Sequence, residues 1–308
     1  MHNEATPPLT GAIPAAAYQA IRDGWLRNDE YEETRQGASH MSQSKDYTGY
    51  RGDTARKEEH LRRAAEIVRQ RKQQTYAWMG VQEGHKVLDV GCGAGMDTIP
   101  LAHIVGPTGL VVGIDIDEAM LSKADERAKE AGVADWVEHR LVDASSMPFE
   151  DDTFDAQHSE RLFSHLTNAE QVLAEMLRVA KPGGLIAVIE TDMATASSDT
   201  EEDDVERRLI PFWAAIQENP YAGRKLYRLA VLAGLVEVTM RISPLSGHSL
   251  DMWRYGIKSA DVEAAALAAG AVTQEELDRH NASQERLDRM GAFYASANFI
   301  TVVSRKPS

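Results

Sequence analysis

The sequence predicts an α/β fold in which a mainly parallel sheet carries helices on both faces. Between residues 86 and 190, short apolar runs alternate with stretches of helical periodicity. Parallel strands need a crossover connection, and a helix that packs back onto the sheet is the usual one. A glycine-rich turn follows the first apolar run, and ligands in such folds bind beyond the carboxyl ends of the strands. Together these features predict a doubly wound sheet with a ligand site along one edge.

The strands and helices of this core are predicted from apolar runs and from helix start and stop signals. The predicted strands are Lys86–Val90, Leu110–Ile114, Val137–Val142, Phe154–Ser159 and Leu185–Glu190. Helices are predicted after Gly95, Asp117 and Thr167, and Thr167 has the spacing of a capping box with Glu170. The run Lys181-Pro182-Gly183-Gly184 then predicts a turn before the fifth strand.

The pattern changes beyond Asp192. Residues 193–222 are acidic in their first part and amphipathic in their second. The periodicity then predicts a helix over Arg224–Leu232, a strand over Val236–Ile242, helices within residues 249–290, and a last strand over Asn298–Val303. We therefore expect two helical insertions at the edge of the sheet. Insertions near strand ends commonly cover a binding site, so these helices predict a substrate cap.

The chain divides into four predicted segments. Residues 1–40 are either a natural arm or a fused segment, because Gly37-Ala38-Ser39-His40-Met41 resembles the remnant of an expression vector. Residues 41–80 predict an N-terminal helical lid, 81–192 the ligand-binding core, and 193–308 the rest of the sheet with its cap. Within the lid, a helix is predicted over residues 54–79. Its basic residues, Arg62, Arg63, Arg69, Arg71 and Lys72, are expected to form a solvated face.

The net charge and the composition restrict the kinds of binding partner that this protein is expected to have. The 308 residues carry a formal net charge of −15, which argues against a broad nucleic-acid surface because such surfaces are rich in Lys and Arg. Cys92 is the single cysteine, which suits a reducing compartment. No apolar run is long enough to span a bilayer and no secretory pattern is recognised, so the cytoplasm is the expected location. A small molecule is the expected partner, with a peptide as an alternative and a homodimer as a further prediction.

The glycine turn, Val87 to Thr98, excludes two ligand classes by spacing. A dinucleotide fingerprint that starts at Gly91 and Gly93 needs a small residue at position 96, where this chain has Met96. A phosphate loop needs Lys and then Ser or Thr after its last glycine, but Asp97 lies in that stretch. The turn therefore predicts close backbone approach to another kind of ligand.

Acids at the ends of the next two predicted strands indicate what that ligand contains. Asp115 follows the second strand and Asp143 the third. A carboxylate at Asp115 can accept both ribose hydroxyl hydrogens, and one at Asp143 can accept from an exocyclic amine such as that of adenine. The two acids predict an adenosine pocket beside the glycine turn.

With these motifs in order, the chain resembles the class I S-adenosylmethionine-dependent methyltransferases, especially the branch with ubiquinone and menaquinone biosynthesis enzymes. The resemblance rests on Val87 to Gly95, Val112-Gly113-Ile114-Asp115, Asp143-Ala144 with Met147-Pro148-Phe149, Phe154-Asp155, and Glu175 to Gly184. It implies a Rossmann-like sheet of seven strands with an antiparallel last strand. It also implies S-adenosylmethionine as cofactor and S-adenosylhomocysteine as product.

The resemblance further implies roles for individual cofactor residues. The methionine part of the pocket would be shaped by Asp89, Gly91, Gly93 and Gly95, and the ribose would be held by Asp115. The adenine would be flanked by Ile116 and Met120, with Asp143 and Ala144 at its edge. Ser159 would lie near the methyl group, and Tyr50 would close over the cofactor from the lid. The alternative for Asp89 is a helix or loop anchor, and the alternative for Tyr50 is an ordered arm packed on the sheet.

The methyl acceptor is predicted at the same edge. Because a sulfonium methyl is already activated, alignment for in-line displacement is the main task of the protein. Where a proton must leave the acceptor, His165, Glu160 and Asp192 are the candidate catalytic residues. Arg161, Trp213, Trp253 and Tyr255 are candidates for contact with the acceptor, and no metal site is predicted. A peptide-modifying enzyme and a non-catalytic cofactor-binding scaffold remain the alternatives to small-molecule methylation.

Overall fold

A seven-stranded sheet forms the centre of the part of the chain that the computed structural model describes, residues 69, 71–215, 217–248, 250–257 and 259–308. The strand order is β3-β2-β1-β4-β5-β7-β6. The first five strands pair in parallel, whereas β7 runs antiparallel to both β5 and β6. The predicted α/β class and the antiparallel last strand are confirmed.

The strands and helices alternate along the chain, as the sequence predicts. The strands are β1 Lys86–Val90, β2 Leu110–Asp115, β3 Val137–Leu141, β4 Phe154–Glu160, β5 Ala180–Ser198, β6 Val236–Gly247 and β7 Ala295–Arg305. The helices are α1 (residues 71–78), α2 Thr98–Val105, α3 Glu118–Glu130, α4 Ala169–Val179, α5 Asp203–Ala215, α6 Ala222–Leu232, α7 Leu250–Gly256, α8 Ser259–Ala268 and α9 Gln274–Arg289. A short 3₁₀ turn, Phe163–His165, follows β4.

Both faces of the sheet are buried at its central strands, whereas the edge strand β6 is largely exposed. In β1, Val87 packs into the core that contains Tyr76 of α1 and Leu101 of α2, whereas the neighbouring Leu88 packs into the core on the opposite face. Because alternate side chains meet different helices, a strand in such a sheet is apolar throughout. This explains the largely apolar runs from which β1 and β2 could be predicted.

The fifth strand is longer than the sequence predicts. β5 begins at Ala180, where the predicted turn at residues 181–184 forms an irregularity in the pairing with β4. It then continues past the predicted end at Glu190, and residues 197 and 198 still pair with Ser296 and Ala295 of β7. The predicted helical segment 193–222 therefore starts as strand, and its first helix begins only at Asp203. This extension carries β5 beyond the carboxyl ends of the other parallel strands.

Helix starts are confirmed in one case and shifted in another. Asp117 is the N-cap of α3, and its side chain accepts from the amide of Met120. The predicted capping box of Thr167 is wrong, because Asn168 occupies the N-cap of α4 and makes no side-chain capping bond. Among the described residues, no helix is both long and apolar enough to cross a membrane.

Candidate functional site

The turn between β1 and α2 is built on three glycines with left-handed backbone. The φ angle is 77° at Gly91, 52° at Gly93 and 76° at Gly95. The amides of Gly91 and Cys92 both donate to the carbonyl oxygen of Ile114, at 2.8 and 3.0 Å. Left-handed backbone is unfavourable for residues with a Cβ atom, so glycine is needed at these positions. The turn is thereby fixed against the end of β2.

We expect Gly95→Ala to destabilise the fold more than a left-handed conformation alone explains. A Cβ atom at Gly95 would lie 3.0 Å from Cβ of Ala124 and 3.2 Å from its Cα. The φ angle costs about 1–2 kcal/mol by itself. Gly132→Ala is the matched control, since its φ is 69° and nothing lies within 4 Å of the added atom. Urea unfolding that gives equal losses for both variants would contradict a tight approach of the turn to α3.

Asp115, at the end of β2, holds the glycine turn through its side chain. Its Oδ2 accepts from the amide of Gly93 at 2.8 Å, and its Oδ1 accepts from the amide of Asp117 at 3.0 Å. Each carboxylate oxygen has a second lone pair. The predicted adenine neighbours follow in the chain, where Ile116 is half-buried and Met120 is buried.

The ends of β2 and β3 bring the second predicted acid next to the first. The amide of Val142 donates to the carbonyl oxygen of Asp115 at 2.9 Å, one residue before Asp143. Oδ1 of Asp143 accepts from the amide and the hydroxyl of Ser145 at 2.8 and 2.7 Å. Asp143 is exposed, and Ala144 packs against the core below. The two acids therefore lie at neighbouring strand ends, as predicted.

A buried ion cluster lies beneath the glycine turn. Its members are Arg71, Lys72, Asp89, Asp97, His158 and Glu160. Nδ1 of His158 donates to Oδ1 of Asp89 at 2.8 Å, and its Nε2 lies 3.8 Å from Oδ1 of Asp97. The hydroxyl of Tyr76 donates to the same Asp97 oxygen. The cluster joins the end of β1, the start of α2 and the end of β4.

Helix α1 supplies the cations of this cluster. Nζ of Lys72 lies 2.5 Å from Oδ2 of Asp97 and 3.4 Å from Oε2 of Glu160, and Arg71 donates to Oε1 of Glu160 at 2.6 Å. The Lys72 side chain is 7% exposed and that of Arg71 is 11% exposed. The prediction of a solvated basic face is therefore wrong for these two residues. Their charges stabilise buried carboxylates.

Residues 82–234 match the family model described as a methyltransferase domain. The chain carries a class I S-adenosylmethionine-dependent methyltransferase domain. It is 42% identical over 119 residues to the ubiquinone/menaquinone biosynthesis C-methyltransferase UbiE of Saccharophagus degradans, an alignment covering 39% of this chain and 48% of that protein. The chain spans about half the length of the curated relatives it matches.

Solved structures share the fold of the domain. The YcgJ protein of Bacillus subtilis aligns with a TM-score of 0.57 and 19% identity, over 77% of this chain and 98% of that chain. The [4+2]-cyclase SpnF aligns with a TM-score of 0.51 and 21% identity, over 77% of this chain and 80% of that chain. Since one of these structurally similar proteins is named a cyclase, the fold alone does not decide which reaction is catalysed.

Three groups of the kind that bind metals lie together in the methyltransferase domain. Ligand atoms of Asp89, Asp97 and His158 fall within 4.8 Å of one another. Both oxygens of Asp97 are already bonded, one to Lys72 and the other to Tyr76. A cation there would compete with the ammonium group of Lys72 and the hydroxyl of Tyr76, so we assign these residues to the ion cluster.

The ion cluster is expected to make stability fall at alkaline pH. Burial disfavours the imidazolium of His158, but the carboxylates of Asp97 and Asp89 outweigh burial and raise its pKa above the ordinary 6.5. The proton is then held more tightly in the folded chain than in the unfolded one. Its contribution to stability is full below pH 6.5 and is lost as the pH rises through the raised pKa.

Urea unfolding between pH 6.5 and 9 measures this loss. The wild type is expected to lose stability over this interval, and His158→Gln is expected to show a flatter profile. His103→Gln is the matched control, because His103 is exposed on α2. A His158→Gln profile as steep as that of the wild type would contradict the assignment.

The ends of β4 and β5 carry the predicted residues nearest the methyl group. Ser159 is fully buried, and its hydroxyl has no hydrogen-bond partner among the described residues. His165 is half-buried on the 3₁₀ turn after β4. Glu190 of β5 holds this turn, since its Oε2 accepts from the amide of Ser164 at 2.8 Å. Burial raises the pKa of Glu190 despite its backbone hydrogen bonds.

The other two candidate bases are engaged in ion pairs. Asp192 is almost fully buried, and its two oxygens accept from Nε and an Nη of Arg224 at 2.6 and 3.0 Å. Glu160 is bound by Arg71 and Lys72. Burial opposes the charge on Glu160, but these cations outweigh it and keep its pKa below the usual range.

Helices α5 and α7 bring two predicted acceptor residues together. The rings of Trp213 on α5 and Trp253 on α7 meet edge to face, with their centroids 5.9 Å apart. Trp213 is 2% exposed, which is typical of a core side chain. Tyr50 and the side chain of Tyr255 lie outside the described residues, as do residues 1–40 and most of the predicted lid.

Lys72, Tyr76 and Asp97 were not predicted from the sequence to belong to the site. Lys72 and Tyr76 are four residues apart on a predicted helix, a spacing that places them on one face. Asp97 directly precedes α2. A cation and a phenol that share a face with the apolar residues of their helix were the available signal for a buried acidic partner.

Proposed function

We propose that this protein transfers the methyl group of S-adenosylmethionine to a small-molecule acceptor at the carboxyl edge of its sheet. The observation that carries the proposal is the left-handed glycine turn bonded to Asp115 within a methyltransferase domain. The curated relative UbiE is named for methylation in quinone biosynthesis, which supports a small-molecule acceptor. The cytoplasm is the proposed location.

The residues at this edge fit such a cofactor. The carboxylate of Asp115 can accept from ribose hydroxyls, and Asp143 beside it can accept from the amine of adenine. One carboxylate oxygen of buried Asp89 has no hydrogen-bond partner among the described residues. A buried acceptor without a partner is costly, and we infer that it receives a hydrogen bond from the amino-acid end of the cofactor.

When bound, the cofactor supplies a methyl group that is already activated for displacement. The chain then has to orient the two reactants and keep water from the edge. Of the three candidate bases, Glu160 and Asp192 are held by cations. An imidazole is the usual group to take a proton near neutral pH, and His165 lies on the 3₁₀ turn after β4. We infer that it takes the proton from an acceptor that has one to lose.

Labelled S-adenosylmethionine tests the proposal. The full chain is incubated with a panel of phenols, amines, carbon acids and short peptides, and label transfer is followed with release of S-adenosylhomocysteine. Transfer to a small molecule is the expected result, with turnover reduced in His165→Ala. Binding of cofactor without transfer to any panel member would favour the scaffold alternative, and transfer to peptides alone would favour a peptide-modifying enzyme.

A further inference from the structure

Arg161 has a backbone conformation that a long side chain seldom adopts. Its φ angle is 57°, in the left-handed region, where glycine is the usual residue. Its amide still donates to the carbonyl oxygen of Ile189 at 2.9 Å, so the strand pairing holds it there. Strained backbone at a strand end often accompanies a functional side chain.

The positive charge of the Arg161 guanidinium has no close counter-ion among the described residues. The side chain is 24% exposed, and the described residues give it one carboxylate neighbour, Glu160, with Nε and Oε1 4.0 Å apart. No hydrogen bond from the described residues reaches its guanidinium. Glu160 is itself bound by Arg71 at 2.6 Å and lies 3.4 Å from Lys72. Within the described part of the chain, Arg161 is therefore a cation without a close ion-pair partner, beside a cluster whose other charges are paired.

The position of Arg161 places this cation where bound molecules would meet. It directly follows β4, and the next residue, Leu162, packs on the glycine turn, with side-chain atoms 3.2 Å from where a Cβ of Gly91 would be. The 3₁₀ turn with His165 begins two residues later. The guanidinium thus belongs to the segment that joins the cofactor turn to the proposed base.

We propose that Arg161 binds a carboxylate or phosphate group of a ligand at this edge, and that the methyl acceptor is accordingly an anionic small molecule. The inference rests on the proposed function. A guanidinium offers planar paired donors that match these anions, and such charge-assisted bonds are among the strongest in proteins. The carboxylate of S-adenosylmethionine shares this chemistry, so the experiment separates the two sources.

Two variants at Arg161 and one matched control test the assignment. Arg161→Gly relieves the left-handed backbone, and Arg161→Lys keeps the charge. Glu237→Gly is the control, because Glu237 also has a long side chain and a left-handed φ of 49° but lies at the opposite edge of the sheet. For each protein we measure the melting temperature, the dissociation constant of S-adenosylhomocysteine by calorimetry, and that of inorganic phosphate by ³¹P NMR with and without S-adenosylhomocysteine.

Arg161→Gly is expected to melt no lower than the wild type while its phosphate affinity falls about tenfold or more. Arg161→Lys is expected to retain most of that affinity, and Glu237→Gly all of it. A loss confined to phosphate supports an anionic acceptor, whereas a loss of S-adenosylhomocysteine affinity assigns Arg161 to the cofactor carboxylate and overturns the inference about the acceptor. A lower melting temperature with both affinities unchanged would overturn the proposal and make Arg161 structural.

The same design separates this inference from the proposed function. Absence of S-adenosylhomocysteine binding by the wild type would contradict the proposed function. The phosphate titration without S-adenosylhomocysteine still tests Arg161 in that case. Phosphate binding lost in Arg161→Gly supports anion recognition, and a wild type that binds no phosphate overturns it.

Discussion

Lys72→Met is expected to lower the free energy of unfolding by about 3–5 kcal/mol, because removing one partner of a buried ion pair leaves the other charge buried and unpaired. The ammonium of Lys72 serves two carboxylates, Asp97 and Glu160, and all three side chains are at most 10% exposed. Burial opposes the charge on Asp97, but Lys72, together with His158 and Tyr76, outweighs burial and holds the pKa of Asp97 well below its ordinary value. Methionine preserves the length and helix propensity of the side chain, so the loss reports the charge.

Urea unfolding followed by circular dichroism measures this loss. Arg286→Met is the matched control, because Arg286 on α9 pairs with Glu201 in an exposed ion pair of small expected value. Affinity for S-adenosylhomocysteine is also expected to fall in Lys72→Met, since Asp97 lies between the glycine turn and α2. A cost below about 1 kcal/mol, typical of surface pairs, would show that the cluster does not depend on Lys72.

Asp115→Ala is expected to weaken S-adenosylhomocysteine binding by about 10- to 100-fold, the value of hydrogen bonds to a charged group. The substitution removes the proposed acceptor of the ribose hydroxyls. It also frees the amide of Gly93, which the carboxylate holds at 2.8 Å. Both effects lower affinity, one through lost contacts and the other through a less ordered turn.

Calorimetric titration measures the affinity, and thermal unfolding shows whether the variant remains folded. Asp135→Ala is the control, because Asp135 is an exposed acid before β3. Asp115→Asn keeps one carbonyl oxygen as an acceptor, and we expect it to bind with intermediate affinity. A folded Asp115→Ala protein with wild-type affinity would move the ribose site elsewhere.

The parallel core could be predicted because its signals are local. Strands buried on both faces appear as continuous apolar runs, and Asp117 caps its own helix within three residues. The end of β5 could not be predicted in this way. Residues 191–198 are mostly small or polar, and their strand conformation depends on pairing with β7, about 100 residues later in the chain.

The residues of the candidate site also fall into those that local sequence signals could predict and those that they could not. Gly91, Gly93, Gly95 and Asp115 could be predicted because spacing alone marks a glycine turn and a strand-end acid. The ion cluster could not, because Lys72 meets Asp97 across 25 positions and Arg71 meets Glu160 across 89. Only the folded chain shows that a basic stretch of helix is buried against acids from distant strands.

Equilibrium binding of S-adenosylhomocysteine to the full chain tests the central claim most directly. Calorimetry is expected to show saturable binding of one molecule per chain for both S-adenosylmethionine and S-adenosylhomocysteine, and none for a nicotinamide dinucleotide. Absence of binding by both adenosyl compounds, or a preference for the dinucleotide, would contradict the assignment of this edge of the sheet to a methyl-donor pocket.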